Sequence, residues 1–148
     1  MVMGAIEDQK ADIRVAEQVY EKVLSLYPDF GPAKRRLAIL YATDQPADSQ
    51  KALQLAMEAR EVFPEDPDVA KALGIVTYRQ GDYARSSALL QESASKRTAD
   101  AKVFYYLGMA QYRLKQLSES KQSLRRALDL NLEAGLAIDA RRILAELK

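Results

Sequence analysis

The chain has 148 residues, 48% hydrophobic and 29% charged, with a net charge of +1. That length suits one domain or about four short repeats with a cap, and the charge predicts no general attraction to nucleic acid or anionic lipid. Cysteine and histidine are both absent, which excludes a disulfide framework, a thiol nucleophile, a cysteine metal site and the commonest general base.

No apolar run approaches the ~20 residues needed to span a bilayer. The start, Met1-Val2-Met3-Gly4-Ala5-Ile6-Glu7, lacks the basic and long apolar regions of a secretion signal. A chain without thiols suits cytoplasm or periplasm alike, so the compartment stays open. Charge is unevenly spread: residues 1–66 carry 8 basic and 12 acidic side chains, and residues 67–148 carry 14 and 9.

Between its punctuation marks the chain reads as helix throughout. Residues 1–9 predict a short helix, and residues 12–27 a longer amphipathic one through Ile13, Ala16, Val19, Tyr20, Val23 and Leu24. Helices over 31–43 and 48–63 form the next pair, joined by Asp44-Gln45-Pro46-Ala47-Asp48, with Pro46 and Asp48 starting the second. Residues 67–80 place Ala70, Leu73, Gly74, Thr77 and Tyr78 on one stripe, and Gly81-Asp82 then ends that helix and caps the next, over 83–96. Helices over 101–114 and 117–130 follow. A last helix over 134–147 has Leu136, Ala140, Ile143, Leu144 and Leu147 on one stripe, with Arg141, Arg142 and Glu146 outside it. The linkers are a few residues long, which makes neighbouring helices antiparallel.

A fixed interval runs through these elements. Gly4, Ala38, Gly74 and Gly108 stand 34, 36 and 34 residues apart, each preceded by an apolar residue. Ala16, Ala52, Ser86 and Ser120 keep step at 36, 34 and 34, and Pro28 and Pro64 lie 36 apart. Such a period marks a stack of identical helix pairs. Tyr78-Arg79-Gln80-Gly81-Asp82-Tyr83 and Ala88-Leu89-Leu90, Tyr106-Leu107-Gly108-Met109-Ala110-Gln111-Tyr112 with Ala127-Leu128, and Phe63-Pro64 together resemble the tetratricopeptide repeat. Ser86 and Ser120 depart from that pattern where alanine is usual, and Thr98 and Leu132 where a turn proline is common.

The resemblance implies an all-α fold, a right-handed α-α superhelix of antiparallel helix pairs. It would be a single domain over 1–148, with repeats of about 1–30, 31–66, 67–100 and 101–133 and a capping helix over 134–148. Matched to the repeat, Met1 falls about four residues inside a first helix, as expected of a segment cut from a longer bacterial-type array. First helices line the concave side in this family, so the implied peptide groove holds Arg35, Ile39, Lys71, Ile75, Tyr78, Lys102, Tyr105, Met109, Tyr112 and Arg113. Tyrosines offer large area at low entropy cost and nearby cations hold carboxylates, which suits a peptide with apolar anchors and acidic character.

The expected function is therefore a non-catalytic protein-interaction scaffold, with no cofactor and no metal. The clamp that grips chaperone carboxyl tails needs groove asparagines, and the single Asn131 ends a second helix. No glycine-rich phosphate loop, nucleophile elbow or metal spacing appears. Two alternatives remain: self-association through exposed repeat ends, as in assembly modules of cell-envelope or polysaccharide export, and RNA binding, which the near-zero charge and acidic first half disfavour.

Overall fold

The computed structural model describes residues 2–43 and 49–147. Among these it contains eight α-helices and no strand: α1 (Val2–Leu26), α2 (Gly31–Thr43), α3 (Ser49–Val62), α4 (Pro67–Arg79), α5 (Tyr83–Lys96), α6 (Ala101–Arg113), α7 (Leu117–Asp129) and α8 (Ala134–Glu146). The connection Asp44-Gln45-Pro46-Ala47-Asp48, expected to start α3, lies outside the described residues.

Local chemistry explains where most helices begin and end. Asp66 stands before Pro67 and accepts from the backbone N–H groups of Asp68 (2.8 Å) and Val69 (3.3 Å), so a side-chain cap and a proline with pre-set φ start α4 together. Asp82 caps α5 through Arg85 N, and Asp100 caps α6 through Lys102 N and Val103 N. The helix-pair turns close as Schellman motifs, with Asp82 N donating to Thr77 O (2.9 Å) and Gln116 N to Gln111 O (2.9 Å). Each needs one left-handed residue: Gly81 at φ 84° and Lys115 at φ 63°.

One expectation fails at the N-terminus. Separate helices over 1–9 and 12–27 were expected, yet α1 runs unbroken from Val2 to Leu26. Lys10-Ala11-Asp12 stands in repeat register with Gln80-Gly81-Asp82, and Ala11 replaces the left-handed glycine. Alanine is the best helix former and resists that conformation by about 1–2 kcal/mol, so the helix continues through the would-be turn.

The chain divides into two compact units, Met1–Leu73 and Gly74–Lys148, where one domain was expected. A stack in which each helix meets only its neighbours has no single centre, so division within it is natural. In the first unit α1, α2 and α3 meet at a polar node, where the Tyr41 hydroxyl donates to Glu21 and Lys51 lies 3.6 Å from the same carboxylate. Leu37, Ala38, Ala52, Ala56 and Ala59 are buried in the same unit.

In the second unit the small-residue series does what its spacing implies. A Cβ added at Gly74 would sit 2.7 Å from Leu90 Cγ, and one at Gly108 would sit 2.7 Å from both Leu124 Cδ2 and Cγ. Leu90 and Leu124 are fully buried, so neither can yield. Opposite them, the Ser86 hydroxyl donates to Gly74 O and the Ser120 hydroxyl to Gly108 O, both at 2.7 Å. The departure from alanine at these positions adds a buried hydrogen bond between paired helices. Helix α8 closes this unit: Ala137, Ala140 and Ile143 share a core with Tyr105, Met109, Leu124 and Ala127.

Candidate binding surface

The expected groove residues separate into three groups. Ile75, Tyr105 and Met109 are 3%, 5% and 7% exposed, so they are core residues, and their expected place in a groove lining is corrected. Tyr105 and Met109 form an i, i+4 stripe on α6, and the small side chains of α8 lie against it. Ile75 stands in the same register as Met109, 34 residues earlier. Helix α6 thus carries two apolar stripes, one toward α7 and one toward α8.

The second group is half-buried and held by other contacts. In the first unit Arg35 donates to Asp66 Oδ2 at 2.6 Å and to Asp68 Oδ2 at 3.2 Å. It braces the turn between α3 and α4. Burial alone would raise the Asp66 carboxyl, but the Arg35 hydrogen bond and two backbone N–H groups outweigh it and hold its pKa below the usual value. Ile39 on α2 and Lys71 on α4 are half-buried. In the second unit Lys102 lies 4.0 Å from Glu133, beside an open cleft of about 610 Å³ bordered by Arg97, Asp100, Asn131 and Leu132.

The third group makes a surface. Tyr78 meets the rings of Tyr83 and Tyr106 edge-on, each at 5.5 Å, and Tyr106 meets Tyr105 at 5.0 Å. Arg113 is exposed and its guanidinium lies 5.8 Å from the Tyr83 ring centroid. Burial raises the Tyr78 phenol pKa, and the charge of Arg113 partly opposes the shift. Tyr112 donates to Glu146 Oε2 at 2.8 Å, which raises its own pKa. Together Tyr112, Arg113, Lys115, Leu117, Glu146 and Leu147 border an open cleft of about 470 Å³. Tyr83, Lys115 and Leu117 were not among the expected site residues. They lie on a turn or the start of a second helix, where the repeat pattern signals packing alone.

Tyr105 shows how far the correction reaches. Burial first, and then the Asp139 carboxylate that accepts its hydrogen bond, push its phenol far above the ordinary range. It is a neutral core donor tying α6 to α8. Among the described residues no group of three or more histidine, cysteine, aspartate or glutamate side chains could hold a metal ion, and no helix is long and apolar enough to cross a membrane.

Paired helices, close-approach glycines and Schellman turns at a 34-residue spacing are the features of the tetratricopeptide-repeat fold. Residues 101–133 match the family model of the tetratricopeptide repeat. Among solved structures, a point mutant of MamA is 21% identical and superposes with a TM-score of 0.75 over 94% of this chain and 78% of that one. MamA from Desulfovibrio magneticus RS-1 is 19% identical, with a TM-score of 0.74 over 94% and 76%. MamA AMB-1 is 21% identical, with a TM-score of 0.74 over 94% and 79%. At such identity the likeness is one of fold. No curated protein sequence matches the chain.

Proposed function

We propose that this chain is a non-catalytic scaffold that holds an extended or helical peptide, and that the cleft beside Arg113 in the second unit is where the peptide docks. The observation that supports this most is the exposed Arg113, stacked near Tyr83 at the border of a cleft of about 470 Å³ that also holds Lys115, Tyr112 and Leu117. A fixed cation beside an aromatic face and an exposed leucine suits a segment with one carboxylate and one apolar side chain. Lys102 and Tyr78, both half-buried, extend the expected lining within this unit. Tyr105, Met109 and Ile75 are buried and are not part of this surface.

The test is selection of peptides from a displayed library on the purified chain, followed by calorimetry. Selected peptides are expected to carry acidic residues. Arg113→Glu is expected to weaken them about tenfold, or ~1.4 kcal/mol, while Lys10→Glu leaves them unchanged. Equal affinity for the wild type and Arg113→Glu overturns this location. Self-association is the second reading, favoured by exposed apolar side chains on α1; nothing observed favours RNA.

A further inference from the structure

The turns from α1 to α2, α3 to α4 and α5 to α6 are register equivalents, at 27–30, 63–66 and 97–100. Their outer edge meets water in all three: Leu26, Val62 and Lys96 share one position and are exposed, as are Pro28, Pro64 and Thr98 two residues on. Exposure here is therefore a property of the turn. The third turn fills the edge with Lys96, Arg97 and Asp100, so the turn itself asks for no apolar side chain. The first two fill it otherwise: Leu26 and Tyr27 are each 65% exposed, and Phe30 and Val62 each 50%. These residues lie together in the first unit. Phe30 N donates to Tyr27 O at 3.1 Å, folding the first turn on itself. A Cβ at Gly31, the next residue, would sit 2.9 Å from Val62 Cγ1 and 3.7 Å from a ring carbon of Phe63, so the two turns touch.

Phe30 carries a second, independent sign. Its carbonyl accepts from Lys34 N at 3.2 Å, the first bond of α2, so it stands at the N-cap position. Asp66 and Asp100 hold that position before α4 and α6, and their carboxylates cap those helices. A phenylalanine side chain offers the backbone N–H groups no acceptor, and this one does not enter the core. The chain thus gives up a helix cap to leave an aromatic ring in water. A local rule broken without a gain in packing marks a surface kept for another purpose.

We propose that this turn patch docks a segment of another protein that carries apolar anchors flanked by lysine or arginine. Charge complementarity names the partner. Residues 25–32 and 61–66 hold four acidic side chains, Asp29, Glu61, Glu65 and Asp66, and no basic one. Arg35 engages Asp66, while Asp29, Glu61 and Glu65 are exposed beside the apolar residues. An acidic rim around an aromatic and aliphatic centre repels an anionic bilayer and a second identical patch, and it attracts a cationic segment. Exposed tyrosine and phenylalanine supply contact area at low entropy cost, and rim charges make the encounter salt-sensitive. The patch stands apart from the Arg113 cleft, which suits the opposite charge and lies in the other unit.

Calorimetry on the whole chain tests it with two short synthetic peptides, one of leucine and lysine and one of leucine and glutamate in the same amphipathic order. The leucine–lysine peptide is expected to bind, and to bind less tightly at high salt. Tyr27→Ser with Phe30→Ser is expected to weaken it about tenfold, or ~1.4 kcal/mol. Serine is a good helix cap, so the urea midpoint of Phe30→Ser is expected to hold or rise, which separates lost docking from lost folding. Glu61→Gln with Glu65→Gln is expected to weaken the same peptide and flatten its salt dependence. Met57→Ser, at an exposed apolar side chain elsewhere on the first unit, is expected to change nothing, and the leucine–glutamate peptide to be indifferent to Phe30→Ser. Failure of the leucine–lysine peptide to bind, or equal binding to the wild type and the Tyr27→Ser, Phe30→Ser variant, would overturn the proposal. So would an equal loss with Met57→Ser, or an equal loss of the leucine–glutamate peptide.

Discussion

Two glycines show how one residue type takes opposite roles. Gly108 leaves no room for a Cβ, since Leu124 side-chain atoms lie at 2.7 Å and its backbone nitrogen at 3.2 Å, whereas Gly135 faces open space. Overpacking costs about 1–3 kcal/mol, and replacing glycine in a helix regains up to about 1 kcal/mol. Gly108→Ala is thus expected to lower stability by about 1 kcal/mol in urea unfolding, and Gly135→Ala to raise it by a few tenths. A second prediction concerns acid. Asp66 has a folded pKa below its unfolded one, so its contribution is present above the unfolded value, about 3.9, and is lost as pH falls through the folded value. Asp66→Asn is expected to lower stability at neutral pH and to flatten its decline below about pH 4, read from unfolding curves between pH 2 and 7. The small-residue positions were legible in the sequence because close approach leaves only glycine, alanine or serine. The ion pairs of Arg35 are not legible in the sequence, because its partners, Asp66 and Asp68, lie 31 and 33 residues away.

At the scale of elements, helix boundaries from α2 to α8 were legible almost to the residue, because capping aspartates, Pro67 and Gly81 act on their immediate neighbours. The break expected between the helices over 1–9 and 12–27 is absent because alanine at position 11 favours continued helix. Helix α8 changes the meaning of α6. Its Ile143 is 3% exposed and shares a core with Tyr105 and Met109, so Ile143→Ala is expected to cost about 2–5 kcal/mol. It should also raise the accessibility of Tyr105, read as faster nitration or altered tyrosine fluorescence. An equal loss of stability with Tyr105 still protected would mean that α8 does not cover it.

At the scale of the whole molecule, the tests of the peptide cleft and of the turn patch are separable, because one reads Arg113 and the other reads Tyr27 and Phe30. The peptide cleft rests on side chains, Arg113, Lys115 and Leu117, that the repeat pattern does not use for packing.

The sequence by itself determined the class of fold. A 34-residue period of apolar, small and turn residues is written locally, and each helix and cap forms within a few residues of its own code. Only the tertiary structure decided which apolar stripes are left to solvent. An i, i+4 stripe has one appearance whether a neighbouring helix covers it, as α8 covers Tyr105 and Met109, or water does, as at Val15 and Val19. The physical reason is that burial belongs to a pair of surfaces, and one chain segment encodes only its own side of the pair.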